Sequence, residues 1–264
     1  MRHLAHCPEG ALIMIDLTDR VILITGAAGA IGSATARTLV GAGGRVLLHD
    51  RDEGPLADLV DELGDAATGL TADLGDAAAT DGLWKRALAV HGRIDVLINN
   101  AGIYPPAPLA DPLEQWLAIW DTSLAVNLVA PAVLCRAAVA SFSEQAEGGI
   151  IINLASRAAF RGEDPDYWHY AAAKAGIVAM TRTIARHHGR DAVTAYAIAP
   201  GYVDTPFNHL FAEEVGVEAA AADTGLGEVA QPQDIANVLA FLASGLARHA
   251  TGATIDINGA SYVH

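Results

Sequence analysis

The chain has 264 residues, 52% of them hydrophobic and 18% charged, a composition far from the low-hydrophobicity, high-charge signature of disorder. Thirty-one acidic side chains against sixteen basic ones leave a formal charge of -15, which repels phosphate backbones and anionic lipid surfaces alike, so neither nucleic acid nor membrane is an expected partner. One α/β domain is the economical expectation, since domains run roughly 100 to 200 residues and α/β folds longer.

Residues 1–13 read as a loose extension and 14–264 as one domain. Pro8, Glu9 and Gly10 interrupt the N-terminal stretch, which is too short in apolar residues for a secretory signal. His3, His6 and Cys7 are metal-ligand types without a second cluster, so no metal is expected. Short apolar runs at 21–25, 45–49, 94–98, 150–154, 192–198 and 253–257 read as strands. Between them, 31–41, 53–63, 78–91, 113–146, 167–188 and 232–243 read as helices. This alternation predicts a single-domain, Rossmann-type, doubly wound parallel β-sheet flanked by helices. No uninterrupted run of about 18 apolar residues is present to suggest a membrane helix. Two cysteines, Cys7 and Cys135, make no disulfide framework and fit a reducing cytoplasm.

The first strand runs into Thr25-Gly26-Ala27-Ala28-Gly29-Ala30-Ile31-Gly32 and then a helix. Small residues there let backbone approach a pyrophosphate seated on the positive helix end, so Gly26, Gly29, Ala30, Ile31 and Gly32 are candidate dinucleotide contacts. The second strand ends at Asp50, placed to accept hydrogen bonds from an adenosine ribose. A carboxylate there also repels a 2′-phosphate, which favours NAD over NADP, while the neighbouring Arg51 could pair with that phosphate if it turned inward.

Tyr170 and Lys174 stand four apart in a helical window, projecting from one face. An ammonium beside a phenol is expected to lower its pKa toward the range of a working acid/base. Ser156, at the end of the strand 150–154, stands where α/β sheets present side chains to ligand. Its hydroxyl could hold a substrate oxygen while the tyrosine exchanges its proton.

With these motifs the chain resembles the short-chain dehydrogenase/reductase family over nearly its whole length. Thr25 to Gly32 resembles the family's TGxxxGxG loop, with Ala30 in place of the middle glycine. Asp73-Leu74 resembles the adenine-contacting pair and Asn99-Asn100-Ala101-Gly102 the NNAG motif. Asn127, Ser156, Tyr170 and Lys174 match the catalytic positions, and Pro200-Gly201 with Val203 and Thr205 matches the segment beside the nicotinamide. The resemblance implies hydride transfer between a nicotinamide cofactor and a small-molecule secondary alcohol or ketone. In it Tyr170 moves the proton, Lys174 holds ribose hydroxyls and Asn127 anchors a water. It also implies a homotetramer built through the two long helices and the last strand.

Substrate choice is expected in the segments after Ser156 and after Thr205. Arg157 and Arg161 could trap an anion, although Glu163, Asp164 and Asp166 are near enough in sequence to pair with them. Ala158 and Tyr167 match positions that line the pocket in this family, and Phe207 and Phe211 belong to an amphipathic lid near 204–230. An acidic acyl carrier gains no attraction from so acidic a chain. Trp84, Trp116 and Trp120 read as core. The competing readings are a non-redox enzyme of the same fold, which would replace Lys174 by arginine, and a nucleotide sensor, which would lack Tyr170 or Ser156.

Overall fold

In the computed structural model, which describes residues 15–206 and 217–263, the described residues form seven strands. They are β1 (Val21–Thr25), β2 (Arg45–Asp50), β3 (Ala67–Thr71), β4 (Val96–Asn99), β5 (Gly149–Leu154), β6 (Val193–Pro200) and β7 (Thr254–Ile257). All pair in parallel, in the order β3-β2-β1-β4-β5-β6-β7. The order reverses between β1 and β4, and there the carboxyl ends of the strands open a crevice. Burial on both faces explains the continuous apolar sequences. Ile22 and Ile24 of β1 enter one core with Leu39, Ile235 and Leu239, while Val21 and Leu23 enter the other with Leu134, Phe142 and Ile184.

Six of the strands fall where the apolar runs lie, and β3 is an addition. Its sequence, Ala-Thr-Gly-Leu-Thr, sits at the sheet edge with every residue at least partly exposed, so it carries neither a continuous apolar run nor a clean alternation.

The helices are α1 (Ala30–Gly41), α2 (Glu53–Leu63), α3 (Ala77–His91), α4 (Leu113–Leu124), α5 (Ala130–Glu144), the short α6 (Ala158–Arg161), α7 (Trp168–His188), α8 (Val217–Ala222) and α9 (Pro232–Ala243). The stretch read as one helix over 113–146 is therefore two, joined by a single π turn, Ala125–Val129. Pro131 has no N–H to give the carbonyl of Asn127, and the Ala130 N–H reaches back five residues to Ala125. The whole run Leu113–Glu144, 32 residues long, is apolar enough by length and average composition to cross a membrane, although polar residues interrupt it. Here α5 lies on the sheet, burying Leu134, Cys135, Ala138 and Phe142. Trp84 is core as expected, but Trp116 and Trp120 are only partly buried, tilted against each other on α4 and meeting Trp168 and His169 of α7 edge-on.

Phe142 is fully buried, edge-on to Trp84 at 6.0 Å, and fills the space that the missing side chain of Gly149 leaves. Truncation to Phe142→Ala should cost about 3–5 kcal/mol, read as a lower urea midpoint at unchanged slope.

Candidate active site

The glycine turn between β1 and α1 is built for close approach. Gly26 adopts φ +64, and a Cβ there would lie 2.8 Å from the Ala101 Cα. At Gly32 a Cβ would collide with the Gly26 carbonyl and Ala27. Both positions therefore demand glycine, whereas Gly29 and Ala30 border the crevice without such constraint, and Ala30 opens α1. From the end of β4, Asn100 donates its amide to the carbonyls of Thr25 and Gly26, both at 2.9 Å. The Thr25 hydroxyl in turn accepts the Asn100 and Ala101 N–H groups. The strand ends on either side of the reversal are thus welded together.

At the end of β2, Asp50 accepts the Ala28 N–H at 2.9 Å and the Arg51 N–H at 2.7 Å, so its carboxylate is fixed at the mouth of the glycine turn. The Arg51 guanidinium is mostly exposed and lies 3.6 Å from Asp52. It borders the same crevice, but its nearest charge is its neighbour's.

On α7 the residues Lys174, Ile177, Val178, Thr181, Ile184 and Ala185 form the buried stripe, a 3.6-residue period that turns Tyr170 and Lys174 toward the strand ends. The Lys174 ammonium, 4% exposed, donates to the Leu154 carbonyl at 2.8 Å and lies 5.5 Å from the Tyr170 ring centroid. Burial brings its pKa down to about 8. The Tyr170 hydroxyl is hydrogen-bonded to Ser156, whose bond favours the phenolate, yet burial outweighs it and pushes the phenol up to about 12. The expected lowering by Lys174 does not emerge: burial is the largest influence, Glu163 adds to the rise, and the Ser156 bond is what opposes it.

Asn127, in the π turn, is fully buried and does not border the crevice. Its Nδ2 donates to the Ile103 carbonyl (2.9 Å) and to Ser123 Oγ (3.0 Å), and its Oδ1 accepts the Ile103 N–H (3.0 Å). Ser123 Oγ meets His169 Nδ1 at 2.7 Å, and His169 Nε2 reaches the Pro105 carbonyl at 3.0 Å. This chain braces the segment after β4 against α4 and α7.

One cavity of about 370 Å³ gathers Ser156, Tyr170 and Lys174 with every predicted dinucleotide contact, from Gly26 through Asp50, Asp73 and Asn100 to Thr205. The substrate expectations fare differently. Arg157 borders the cavity, but Ala158, Arg161 and Tyr167 do not. Tyr167 instead stacks behind Tyr104, 3.9 Å between centroids. Neither arginine pairs with Glu163, Asp164 or Asp166 at salt-bridge distance. Both Arg157 and Arg161 bind the same oxygen of Asp223, at 2.9 and 2.8 Å, just beyond α8. Phe207 and Phe211 lie outside the described residues, as do His3, His6 and Cys7. Two cavity residues, Tyr104 and Glu163, carry no sequence signal beyond their nearness to Asn100 and Tyr170.

A family model described as enoyl-(acyl carrier protein) reductase matches residues 26–260. The chain is 36% identical to the (2S)-[(R)-hydroxy(phenyl)methyl]succinyl-CoA dehydrogenase subunit BbsD of Thauera aromatica, over 93% of this chain and 97% of that one. It is 32% identical to 3beta-hydroxysteroid dehydrogenase 1 of Eggerthella lenta, over 92% and 94%. A solved short-chain dehydrogenase/reductase of Brucella melitensis, a glucose/ribitol dehydrogenase, is 31% identical with a TM-score of 0.86, over 94% and 99%. The chain belongs to the short-chain dehydrogenase/reductase family. It is an oxidoreductase fold of the kind that binds nicotinamide dinucleotides and small-molecule substrates. The cradle left by Gly26 and Gly32, with the Ala28 loop fixed on Asp50, fits such a dinucleotide.

A lysine whose folded pKa lies near 8 instead of 10.5 binds fewer protons than the unfolded chain between those values. Stability should therefore rise with pH across that window. In Lys174→Met this rise should vanish, so melting curves of the two proteins from pH 7 to 10 should converge or cross at the alkaline end. Parallel curves would contradict a buried charged ammonium.

Proposed function

We propose that this short-chain dehydrogenase/reductase interconverts a secondary alcohol and a ketone, using NAD in preference to NADP. The observation that carries the reading is that Ser156, Tyr170 and Lys174 share one cavity with the glycine turn and Asp50. When bound, the dinucleotide supplies or accepts the hydride. Tyr170 Oη gives a proton to the ketone oxygen in reduction and takes it from the hydroxyl in oxidation. Ser156, already hydrogen-bonded to that phenol, holds the same oxygen. Lys174 holds the nicotinamide ribose hydroxyls, its ammonium 5.5 Å from the Tyr170 ring centroid. Pro131 denies the Asn127 carbonyl its usual partner four residues on, which leaves that carbonyl suited to anchor a water leading toward Lys174.

The cofactor end is Gly26, Gly29, Ala30, Ile31 and Gly32 for the pyrophosphate, Asp50 and Arg51 for the ribose, Asp73 and Leu74 for adenine, and Asn100 to Gly102, Pro200, Gly201, Val203 and Thr205 along the nicotinamide half. The preference for NAD is supported by Asp50, held in place by two backbone donors, and by Arg51 lying toward Asp52. A homotetramer is supported by apolar side chains left exposed along α4 to α7 (Leu113, Leu117, Val129, Trp168) and at the C-terminal elements (Phe241, Leu246, Val263). A cytoplasmic setting is supported by Cys135, a buried free thiol whose ionisation burial pushes up to about 12.

Tyr170→Phe should retain NADH binding, read by fluorescence, and lose turnover of secondary alcohols by about 10² to 10⁴-fold. Near-normal turnover would overturn the reading. Asp50→Ala should raise the ratio of kcat/KM for NADP over NAD by about tenfold or more, as the repulsion of the 2′-phosphate is removed.

A further inference from the structure

The substrate end of the cavity carries a charge arrangement that none of the family's shared motifs sets. Glu163 borders it together with Ser156, Tyr170, Tyr104 and Arg157. Its carboxyl is close enough to influence both phenols electrostatically. The Tyr104 ring stands edge-on to Tyr170 at 4.7 Å and is pinned from behind by Tyr167, so it forms a fixed aromatic wall of the same cavity.

The two arginines nearby are drawn toward Asp223. Arg157, mostly buried, spends Nη1 on Asp223 and on Ser261 Oγ at 2.7 Å, and Arg161 shares the same Asp223 oxygen. The carboxylate that pairs with the two arginines is thus Asp223, which leaves Glu163 as the carboxylate bordering this end of the cavity without a salt bridge of its own among the described residues. The Glu163 pKa is raised, by burial first and by the neighbouring Asp164, and the opposing pull of Arg157 and Arg161 does not reverse it.

Resting on the alcohol dehydrogenase reading, we infer that Glu163 sets substrate choice, selecting alcohols with a second hydrogen-bond donor near the carbinol, a polyol or an amino alcohol, over hydroxy acids and acyl thioesters with anionic carriers. A hydroxyl or ammonium satisfies the carboxylate acceptor in a site of low dielectric, whereas a substrate carboxylate placed there meets a like charge while the Arg157 guanidinium is held toward Asp223. The aromatic face of Tyr104 suits the C–H side of a polyol chain and the cation of an amino alcohol equally, so the chemistry common to both is the donor.

The test uses the full chain with NAD, Glu163→Gln, and matched substrates: a linear polyol, an amino alcohol, a hydroxy acid of the same length and an unsubstituted secondary alcohol. Wild type should favour the polyol or the amino alcohol over the hydroxy acid by about tenfold or more in kcat/KM. Glu163→Gln should shrink that ratio by about tenfold, chiefly through KM, with NADH affinity unchanged; any change in kcat from removing the charge near the Tyr170 phenol is shared by the unsubstituted alcohol, which serves as the reference. Which of the two donors Glu163→Gln affects more identifies the group recognised. A wild-type preference for the hydroxy acid, or a ratio untouched in the variant, overturns the inference. Calorimetry on Tyr170→Phe with NADH reads the same selectivity without turnover. Equal affinity for polyol, amino alcohol and hydroxy acid overturns this inference alone, whereas donor-selective binding beside a wild type silent on every alcohol upholds it and overturns only the reaction proposed.

Discussion

The site depends on one buried hydrogen bond, from the Lys174 ammonium to the carbonyl of Leu154, the last residue of β5. A charge this deep costs several kcal/mol in desolvation unless partners recover it. The sequence tolerates it because the stripe below Lys174 is apolar and anchors α7 along the sheet. Farther along that stripe the Thr181 hydroxyl accepts the Asn153 amide at 2.9 Å, and Asn153 in turn accepts from Asn99 of β4 at 2.8 Å. Fixed at both points, α7 has no freedom to slide or roll, and Tyr170 is held beside Ser156 by the same constraint.

The second wall of the crevice is braced independently. Asn127 gives both ends of its amide to Ile103, and the bonds through Ser123 and His169 carry the brace on to Pro105. Tyr104 lies between those two tied residues, so its ring is placed by its neighbours' backbones as much as by its own stacking. The π turn matters here because it inserts a residue into the helix at the point where Asn127 must face the loop after β4. A regular helix would carry that amide round by roughly 100° per residue.

Much of the architecture was legible because local pattern and burial agree. Strands such as Val-Leu-Ile-Asn in β4 are apolar throughout since both faces are covered, and Gly26 and Gly32 announce a turn no other residue could make. What was hidden depends on contacts between distant segments. The edge strand β3 is exposed enough to look like a loop. The break in the helix over 113–146 arises from one proline within a periodicity that otherwise continues. Arg157 and Arg161 stand beside three acidic residues in sequence, yet meet Asp223 more than sixty residues away. Tyr170 is the sharpest case: its spacing to Lys174 was readable, but the sign of its pKa shift was not, because desolvation is a property of everything packed around the phenol.

The same distinction separates the charge of the chain from the charge of the site. A total of -15 acts on ions at a distance and is screened within roughly 8–10 Å at physiological salt. It governs encounter, and on that ground alone every anionic substrate would be equally discouraged. Inside the crevice solvent is scarce, and the field is set by the few groups that line or adjoin it. Asp223 takes up the two arginines, and Glu163 stands at the substrate end as a carboxylate without a salt bridge among the described residues. Chains of this fold with almost identical cofactor ends can therefore diverge in substrate through one short stretch between Ser156 and Tyr170, where a carboxylate or its amide changes which hydroxyl can be satisfied while the proton-transfer geometry stays the same.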